Sequence, residues 1–298
     1  KIHTLYIEVD EMLDNKRIIL RLKGGLGNQL FQLSAAMQLQ DKIGGLIVCD
    51  ISSLNSYKTK REYTSGFVSE IFNTMFDGSP TRIERLVVKS RLPALLRLKT
   101  DLISFYSSSI DIAEGINSSQ LIFLDGYFQD KATVFNNTQS TRLKNMLFKQ
   151  HQELLNGLGI LRNDYLGLHI RRGDFMVGES VNIYRHLSDD YFTKNIDFFK
   201  DKKIFVFSDD PICSRNFARS IGATDVSSLG LSLIQEFVLF AYCGNKILSN
   251  STFSWWADFI GQCDNGLTIM PRLWFIDEKQ QNNFEATLLM PRSNLLLV

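Results

Sequence analysis

The sequence predicts an α/β protein with parallel sheets in two domains. Short apolar runs alternate with amphipathic helical segments, and several of the runs end in polar or glycine-containing turns. The 298 residues leave room for two domains of ordinary size. Asn156-Gly157-Leu158-Gly159 is a composition typical of a linker, so we predict an N-terminal domain over residues 1–156 and a C-terminal domain over residues 157–298.

Composition narrows the classes of function. The net charge of +1 gives no global basic field for nucleic acid or for an anionic membrane, so any phosphate site must be local. No run approaches the roughly 18 apolar residues of a membrane span. Four scattered cysteines predict reduced thiols rather than a disulfide framework or a zinc site, as expected of a cytoplasmic protein. A Golgi lumenal protein whose N-terminal anchor has been removed is the alternative location.

A βαβ unit with a glycine-rich first turn is predicted near the N-terminus. Residues 17–22 and 46–49 read as strands around a helix over residues 28–42, and the turn contains Gly25, Gly27 and Asn28. Leu30 occupies the third glycine position of a nicotinamide fingerprint, and the Gly-Lys-Ser/Thr of a P-loop is missing. Two interpretations stay open: a turn that brings backbone N–H groups and Asn28 to a ligand, or glycines required only by backbone geometry.

A second polar turn follows the apolar run 121–124. Tyr127 and Gln129 in this turn suit the face of a sugar, although packing of Tyr127 and Phe128 in a core explains the aromatics equally well. Helical sequence is predicted from Lys131 to about Leu155.

The most informative turn lies at the start of the second half. Residues 165–170 read as a buried strand that carries His169, and Arg171, Arg172 and Asp174 follow it around a glycine. Adjacent guanidinium groups suit bidentate contacts with phosphate oxygens. Taken alone, the same residues are also typical of a salt-bridged surface loop.

Two later strands end in polar turns as well. Residues 204–207 are followed by Ser208, Asp209 and Asp210; Pro211 makes Asp210 a good helix N-cap, which leaves Asp209 as the better ligand contact. Residues 246–248 lead to a turn at the start of a predicted helix, and that turn contains Ser249, Asn250, Ser251, Thr252 and Phe253. A last strand is predicted over residues 267–270.

Together the three turns predict a nucleoside diphosphate site. Ligands bind outside the carboxyl ends of strands in open α/β sheets. There the arginines would neutralise phosphates, hydroxyls and helix N–H groups would bind further oxygens, and a carboxylate would accept from ribose or base. The region has no Asp-x-Asp, so we expect no metal ion at the diphosphate.

These motifs resemble the α-1,2-fucosyltransferases of glycosyltransferase family 11. The resemblance rests on five segments in family order: Gly24-Gly25-Leu26-Gly27-Asn28-Gln29-Leu30-Phe31-Gln32, Gly126-Tyr127-Phe128-Gln129, His169-Ile170-Arg171-Arg172-Gly173-Asp174, Phe207-Ser208-Asp209-Asp210 and Leu248-Ser249-Asn250-Ser251-Thr252-Phe253-Ser254-Trp255-Trp256. Phe175, where tyrosine is common, and Ala257-Asp258-Phe259, in place of Gly-Ala-Trp, depart from the family pattern.

The resemblance implies a GT-B architecture, with two Rossmann-like domains facing across a cleft. The expected reaction transfers L-fucose from GDP-L-fucose to the 2-hydroxyl of a terminal galactose, without metal and with inversion. The C-terminal domain would bind the donor, and the N-terminal domain would help hold a β-galactoside. The acceptor is free or lipid-linked, the latter through a peripheral membrane contact.

The resemblance also assigns roles. Arg171 and Arg172 would stabilise the leaving diphosphate, His169 and Ser208 would help position the nucleotide, and Asp209 would meet the guanosine. The turn residues 249–253 would bind phosphate, while Gly25, Gly27 and Asn28 would approach it from the other domain. Tyr127, Gln129 and Trp255 would contact the acceptor.

The identity of the general base and of the donor stay open. Asp174 and Glu179 are the candidate bases, and Asp174 serves equally well as a residue that orients an arginine. A transferase for another GDP-sugar and a catalytically silent GDP-sugar or glycan-binding protein are the rival functions.

Overall fold

The computed structural model describes residues 16–54, 78–81, 103–106, 121–289 and 292–298. The chain divides into two compact units, Lys1–Asn136 and Asn137–Val298. The described strands of each unit form a parallel sheet. The predicted α/β class with two Rossmann-like domains is confirmed.

The sheet of the first unit has the strand order β2-β1-β4-β3. Its strands are β1 (Arg17–Arg21), β2 (Leu46–Asp50), β3 (Ile103–Tyr106) and β4 (Leu121–Leu124). The chain runs outward from β1 to β2 on one side, while β4 lies on the other. The turns after β1 and β4 therefore flank the point where the strand order reverses, which is where open α/β sheets bind ligands.

Helix α1 (Leu26–Ile43) connects β1 to β2. It begins two residues before the predicted start, because Gly25 supplies an extended N-cap and Leu26 already has helical geometry. Leu30 and Leu33 are fully buried. Gly44, with φ of +71°, ends the helix in a conformation that favours glycine.

The sheet of the second unit has the order β7-β6-β5-β8-β9-β10. Its strands are β5 (Tyr165–Ile170), β6 (Lys203–Ser208), β7 (Thr224–Asp225), β8 (Asn245–Ile247), β9 (Thr268–Met270) and β10 (Leu295–Leu297). Counted from β5, this is the 3-2-1-4-5-6 order of doubly wound nucleotide-binding folds. The reversal point lies between β5 and β8.

Helices cover this second sheet. They are α2 (Asn137–Gln150), α3 (Gln152–Gly157), α4 (Asp189–Ile196), α5 (Pro211–Ser220), α6 (Leu233–Tyr242), α7 (Thr252–Ile260) and α8 (Glu278–Thr287). The core contains the apolar residues of β5, together with Phe192 of α4, Phe217 of α5 and Ile247 of β8. Near-continuous burial of β5 is the expected pattern for a strand covered on both faces.

Besides the earlier start of α1 and the unpredicted strand β3, the structure differs from the predicted elements between residues 131 and 159 and at the C-terminus. The single helix predicted from Lys131 to Leu155 is divided into a 3-10 turn (Lys131–Thr133), an extended residue at Val134, and the helices α2 and α3. The division arises because the Asp130 carboxylate caps only the short 3-10 turn. Helix α2 contacts α6 and α7, so it clusters with the second unit. Asn156–Gly159 then only turns the chain toward β5, and the division between the units falls earlier than residue 156.

The remaining difference is at the C-terminus. The strand at residues 267–270, predicted as the last, is followed by α8 and by β10, which extends the parallel sheet by pairing with β9. None of the helices in the described part of the chain has the length and hydropathy required to cross a membrane.

Candidate functional site

Polar turns meet at the carboxyl edge of the second sheet, where β5 and β8 are parallel neighbours. His169, near the end of β5, is 4% exposed and connects the two turns directly. Its Nδ1 lies 2.8 Å from Ser249 Oγ and 2.6 Å from Ser254 Oγ, and its ring stacks on Phe253 at 5.0 Å. His169 therefore fixes the turn after β8 against the end of β5.

Asp209 holds the two arginines in a defined geometry. Its Oδ1 accepts the backbone N–H of Arg172 at 2.9 Å, and its Oδ2 pairs with Arg171 Nη1 at 3.2 Å. A Cβ at Gly173 would overlap the same carboxylate, so only glycine allows this approach. Asp209, predicted to contact guanosine, thus has both oxygens engaged by the arginine turn.

The two guanidinium groups have different surroundings. Arg172 is 8% exposed, and its Nη2 donates to Asp189 Oδ1 at 2.9 Å, at the start of α4. Arg171 lies 5.2 Å from the Phe175 ring, which stacks on Tyr184 at 3.9 Å. An aromatic stack and a carboxylate hold Arg171, as is typical of a preorganised cation.

The predicted phosphate-binding turn lies at the N-terminus of α7. Ser251 caps the helix, with its Oγ accepting from Phe253 N–H, and Thr252 is the first helical residue. The first N–H groups of an α-helix have no partner within the helix and favour anions. Asn250 is buried, and its Nδ2 donates to the carbonyls of Arg185 and Trp274, so its amide group anchors the turn.

The helix cap predicted in the turn after β6 is confirmed. Asp210 caps α5 by accepting from the N–H groups of Ile212 and Cys213, with Pro211 at the first helical position. Ser208 is 5% exposed, and its Oγ accepts from Asp210 N–H at 3.1 Å. Both residues stabilise the segment that presents Asp209 to the arginines.

The candidate bases lie on the segment after the arginine turn. The Asp174 side chain lies outside the described residues, although its backbone belongs to a 3-10 turn (Gly173–Met176). Glu179 is exposed in the next 3-10 turn (Gly178–Asn182).

His186, which the sequence interpretation missed, also lies on this segment and is exposed. Although much of the residue is exposed, the protein around its imidazole ring removes some solvent, which lowers the pKa. The nearby Arg172 cation lowers the pKa further, whereas the Asp189 carboxylate raises it. A neutral imidazole at neutral pH accepts protons. A single histidine outside any motif gives no signal in the sequence that would have revealed it.

Trp255 takes a packing role. It is 6% exposed, its Nε1 donates to Leu288 O at 3.1 Å, and its ring stacks on Phe259 at 5.3 Å. The acceptor contact predicted for Trp255 would require this packing to open.

The other predicted contacts lie together in the first unit. Gln129 Nε2 donates to Asn28 Oδ1 at 2.8 Å, which joins the turns after β1 and β4. Tyr127 is 41% exposed in the same place, whereas Phe128 is buried in the core. Gly25 and Gly27 form the start of α1, where backbone N–H groups emerge from the helix.

The cysteines and the other potential metal ligands show neither disulfides nor a metal cluster within the described residues. All four cysteines are free thiols; Cys49 and Cys243 are buried, and Cys213 and Cys263 are partly exposed. Within the described residues, no three His, Cys, Asp or Glu side chains converge in a way that would hold a metal ion.

Sequence comparisons agree with these motifs. The model of the family described as Glycosyl transferase family 11 matches residues 98–290. The O-antigen biosynthesis glycosyltransferase WbnK of Escherichia coli is 31% identical over 85% of this chain and 93% of its own length. An α-1,2-colitosyltransferase of Escherichia coli is 23% identical over 90% of this chain and 95% of its own length. Galactoside α-(1,2)-fucosyltransferase 2 of Sus scrofa is 28% identical over 40% of this chain and 38% of its own length.

Comparison with solved structures gives likenesses at low sequence identity. FUT1 of Arabidopsis thaliana in complex with GDP has a TM-score of 0.53 and 11% identity, over 89% of this chain and 73% of that chain. The fucosyltransferase NodZ from Bradyrhizobium has a TM-score of 0.44 and 14% identity, over 83% of this chain and 93% of that chain. The likeness to the first structure, together with two Rossmann-like units, confirms the GT-B fold class.

Proposed function

The chain belongs to glycosyl transferase family 11 and is a glycosyltransferase; from this premise we propose that it moves L-fucose from GDP-L-fucose to the 2-hydroxyl of a terminal galactose. The observation that carries the proposal is the meeting of Arg171, Arg172 and the N-terminus of α7 at the reversal point of a nucleotide-binding sheet. A site of this kind suits a diphosphate whose negative charge grows as the bond to the sugar breaks.

Preorganisation supports a leaving-group role for the arginines. Asp209 and the Phe175 ring hold Arg171, and the backbone N–H of Arg172 is bonded to Asp209. Fixed donors stabilise a developing charge without reorganising in the transition state, which makes them effective catalysts. We therefore assign the stabilisation of departing GDP to Arg171 and Arg172 and propose that the reaction needs no metal ion.

The acceptor hydroxyl loses its proton as its oxygen attacks the anomeric carbon. In this single displacement the new C–O bond forms as the bond to GDP breaks, with inversion at carbon. A base on the segment 174–186 would take the proton; Asp174, Glu179 and the neutral imidazole of His186 are the candidates. The segment follows the arginine turn in the chain, so it is suited to supply such a group.

Linkage and acceptor rest on the relatives. Two of the three relatives have an α-1,2 linkage in their names, and one of these is a galactoside transferase. We propose the same bond here, to a β-galactoside that is either free or lipid-linked. In the second unit, the donor site would use residues 249–253, His169 and Ser208.

A second donor sugar is the main alternative. One relative that spans 90% of this chain is named for colitose transfer. The arginine turn and the α7 N-terminus would serve the diphosphate of either donor equally well. The donor sugar is therefore decided by experiment rather than by the diphosphate site.

The decisive experiment incubates the protein with lactose and, in separate reactions, GDP-fucose, GDP-mannose or a colitosyl donor. GDP release and the product are followed, and the linkage is determined by NMR. We expect a fucosylated product with an α bond to the galactose 2-hydroxyl. Release from another donor alone would favour the second candidate, and GDP binding without any release would indicate a silent binding protein.

A further inference from the structure

Charged side chains cluster at the carboxyl edge of the first sheet. Arg21 Nε pairs with Asp50 Oδ2 at 3.3 Å, and its Nη1 pairs with Asp125 Oδ2 at 2.9 Å. Lys23 Nζ pairs with Asp125 Oδ1 at 2.9 Å and also donates to the Asp125 backbone carbonyl. The four charges sum to zero, and none of them belongs to the residues assigned above.

Among the four charged side chains of this cluster, Asp125 is the most exposed to solvent. The Asp50 side chain is 5% exposed, Arg21 is 19%, and Lys23 is 25% exposed. Asp125 is 43% exposed. The two cations hold the Asp125 carboxylate in place, yet that carboxylate is the charge most open to solvent, and a carboxylate oxygen with one partner retains capacity for another donor.

An aromatic ring lies near Lys23, and a pair of amides joins the two turns that carry Lys23 and Asp125. Lys23 Nζ lies 5.1 Å from the centre of the Tyr127 ring, and a Cβ on Gly24 would come within 3.2 Å of Tyr127 Cε1. The ring is thereby fixed, with 41% of the residue exposed. The Asn28–Gln129 pair joins the same two turns.

We propose that Lys23, Asp125 and Tyr127 form the acceptor subsite of the first unit and select an uncharged sugar. An aromatic face packs against the apolar face of a pyranose, and Asp125 accepts hydrogen bonds from neighbouring hydroxyls while Lys23 donates to a ring or hydroxyl oxygen. This subsite rests on the proposed function for its galactoside. It adds two residues and a charge rule to that function.

The preference for an uncharged sugar follows from the exposure of Asp125, the most exposed charge of the cluster. An anionic sugar would bring a second carboxylate toward Asp125. The two cations of the cluster, Arg21 and Lys23, are already paired with Asp50 and Asp125 and would offset this repulsion little. Like charges that approach within a few ångströms repel even at a protein surface. A neutral galactoside meets no such repulsion, so the site discriminates by electrostatics rather than by size.

The test compares methyl β-galactopyranoside with methyl β-galactopyranosiduronate, which differ in charge at one carbon. Dissociation constants for the intact protein are measured by NMR titration at neutral pH. We expect the neutral ligand to bind at least about tenfold more tightly. We also expect Tyr127→Ala to weaken the neutral ligand about tenfold, since aromatic anchors dominate such contacts.

Asp125→Asn separates charge from shape. It keeps the size of the side chain, so the uronate should gain affinity relative to the galactoside. Phe198→Ala and Asp264→Asn, which change an exposed aromatic and an exposed carboxylate of the second unit, are the matched controls. Far-UV circular dichroism and the thermal unfolding midpoint verify that every variant is folded, because GDP binding would report only on the second unit.

Each outcome decides the matter. Equal affinity for the two ligands, unchanged affinity in Tyr127→Ala, or no binding of the galactoside would overturn the subsite. Should Asp125→Asn fail to fold, the Tyr127→Ala result and the two wild-type affinities remain decisive. The proposed function fails separately, if wild-type protein binds galactoside but makes no fucosylated product.

Discussion

Arg172 is the residue at which catalysis and stability separate most cleanly. Its ion-pair partner, Asp189, is 66% exposed, so loss of the guanidinium leaves that carboxylate in water. Although the Arg172 side chain is only 10% exposed, an ion pair with so exposed a partner contributes only about 0–1 kcal/mol. Arg172→Ala should therefore lower kcat roughly a hundred- to thousandfold, the effect of removing one fixed donor to a developing charge, while the thermal unfolding midpoint changes little.

The control for this variant is Arg219→Ala, the same change at an exposed arginine in the last turn of α5. Steady-state rates of GDP release and thermal unfolding are measured for both. An Arg172→Ala enzyme that turns over at the wild-type rate would remove Arg172 from the leaving-group mechanism. A protein that no longer unfolds cooperatively would show that its role is mainly structural.

His186 provides a second observation at the scale of one residue. Partial burial and the Arg172 cation both disfavour the imidazolium form, so the ring should stay neutral to a lower pH than an ordinary histidine. NMR titration of the ring, assigned with His186→Gln, should give a pKa below 6.5. In Arg172→Met the pKa of His186 should rise, because the repulsion from the Arg172 cation is gone and only burial still lowers it. An unchanged pKa would contradict an electrostatic effect of Arg172 on His186.

At the scale of the element, the turn after β5 depends on the absence of a side chain at Gly173. A methyl group there would displace the Asp209 carboxylate, which a hydrogen bond from Arg172 N–H and an ion pair with Arg171 hold in place. Overpacking of this kind typically costs about 1–3 kcal/mol. Gly173→Ala should destabilise the protein and lower kcat, because the backbone N–H of Arg172 loses its acceptor and Arg171 loses its ion pair.

Gly157→Ala is the matched control for this substitution. A Cβ at Gly157, the last residue of α3, would meet no atom within 4 Å. Chemical denaturation and initial rates are compared for the two variants and the wild type. Equal effects at the two positions would mean that contact with Asp209 is unimportant.

Elements that local sequence determines were the ones that could be predicted. The buried strand β5 agrees with its prediction at both ends, and Asp210 with Pro211 caps α5 as expected. Strands β3 and β10 were missed because each is a short edge strand whose existence depends on a neighbour. A run of three or four apolar residues does not reveal such pairing.

Contacts between distant residues account for what the sequence could not predict in the site. The arginine motif was visible, but the bond between Asp209 and the Arg172 N–H joins residues 37 positions apart. The pair of Lys23 and Asp125 joins residues 102 positions apart. Only the sheet order, which sets the carboxyl ends of particular strands side by side, brings these side chains together.

Strand β8 carries a buried lysine whose protonation should couple stability to pH. Lys246 is 1% exposed, and burial lowers its pKa to about 8. Asp258 and Cys243 raise this pKa, whereas the cations Arg162 and Arg292 lower it further. Its Nζ donates to the Cys243 and Gly261 carbonyls. Between pH 8 and the ordinary value of 10.5, the unfolded chain binds the proton that the folded chain has released.

Stability should therefore increase with pH through that window and be lost again as pH falls toward 8. The free energy of unfolding is measured by urea denaturation from pH 7.5 to 10.5 for wild type and Lys246→Met. The wild type should gain a few kcal/mol relative to the variant. Parallel curves for the two proteins would contradict a lowered pKa at Lys246.

At the scale of the whole molecule, two sheets each place polar turns at a point of strand reversal. In the second unit those turns carry cations and a helix N-terminus, which suit a diphosphate. In the first unit they carry a balanced set of charges beside a half-exposed tyrosine, which suits an uncharged sugar. The charge at each edge is the basis on which we propose a donor site in the second unit and an acceptor subsite in the first.

The same division predicts how the enzyme responds to removal of metal ions. Because Arg171, Arg172 and the α7 N-terminus would supply the positive charge that departing GDP requires, excess EDTA should leave kcat unchanged. GDP release from GDP-fucose with lactose is measured after dialysis against EDTA and again with added Mg²⁺ or Mn²⁺. The Arg172→Ala variant is assayed in parallel, and added metal should not restore its rate, since a divalent ion needs carboxylate ligands to hold it at the diphosphate. Activity that EDTA abolishes and Mg²⁺ restores in the wild type would show that a divalent ion performs the task assigned here to the two guanidinium groups.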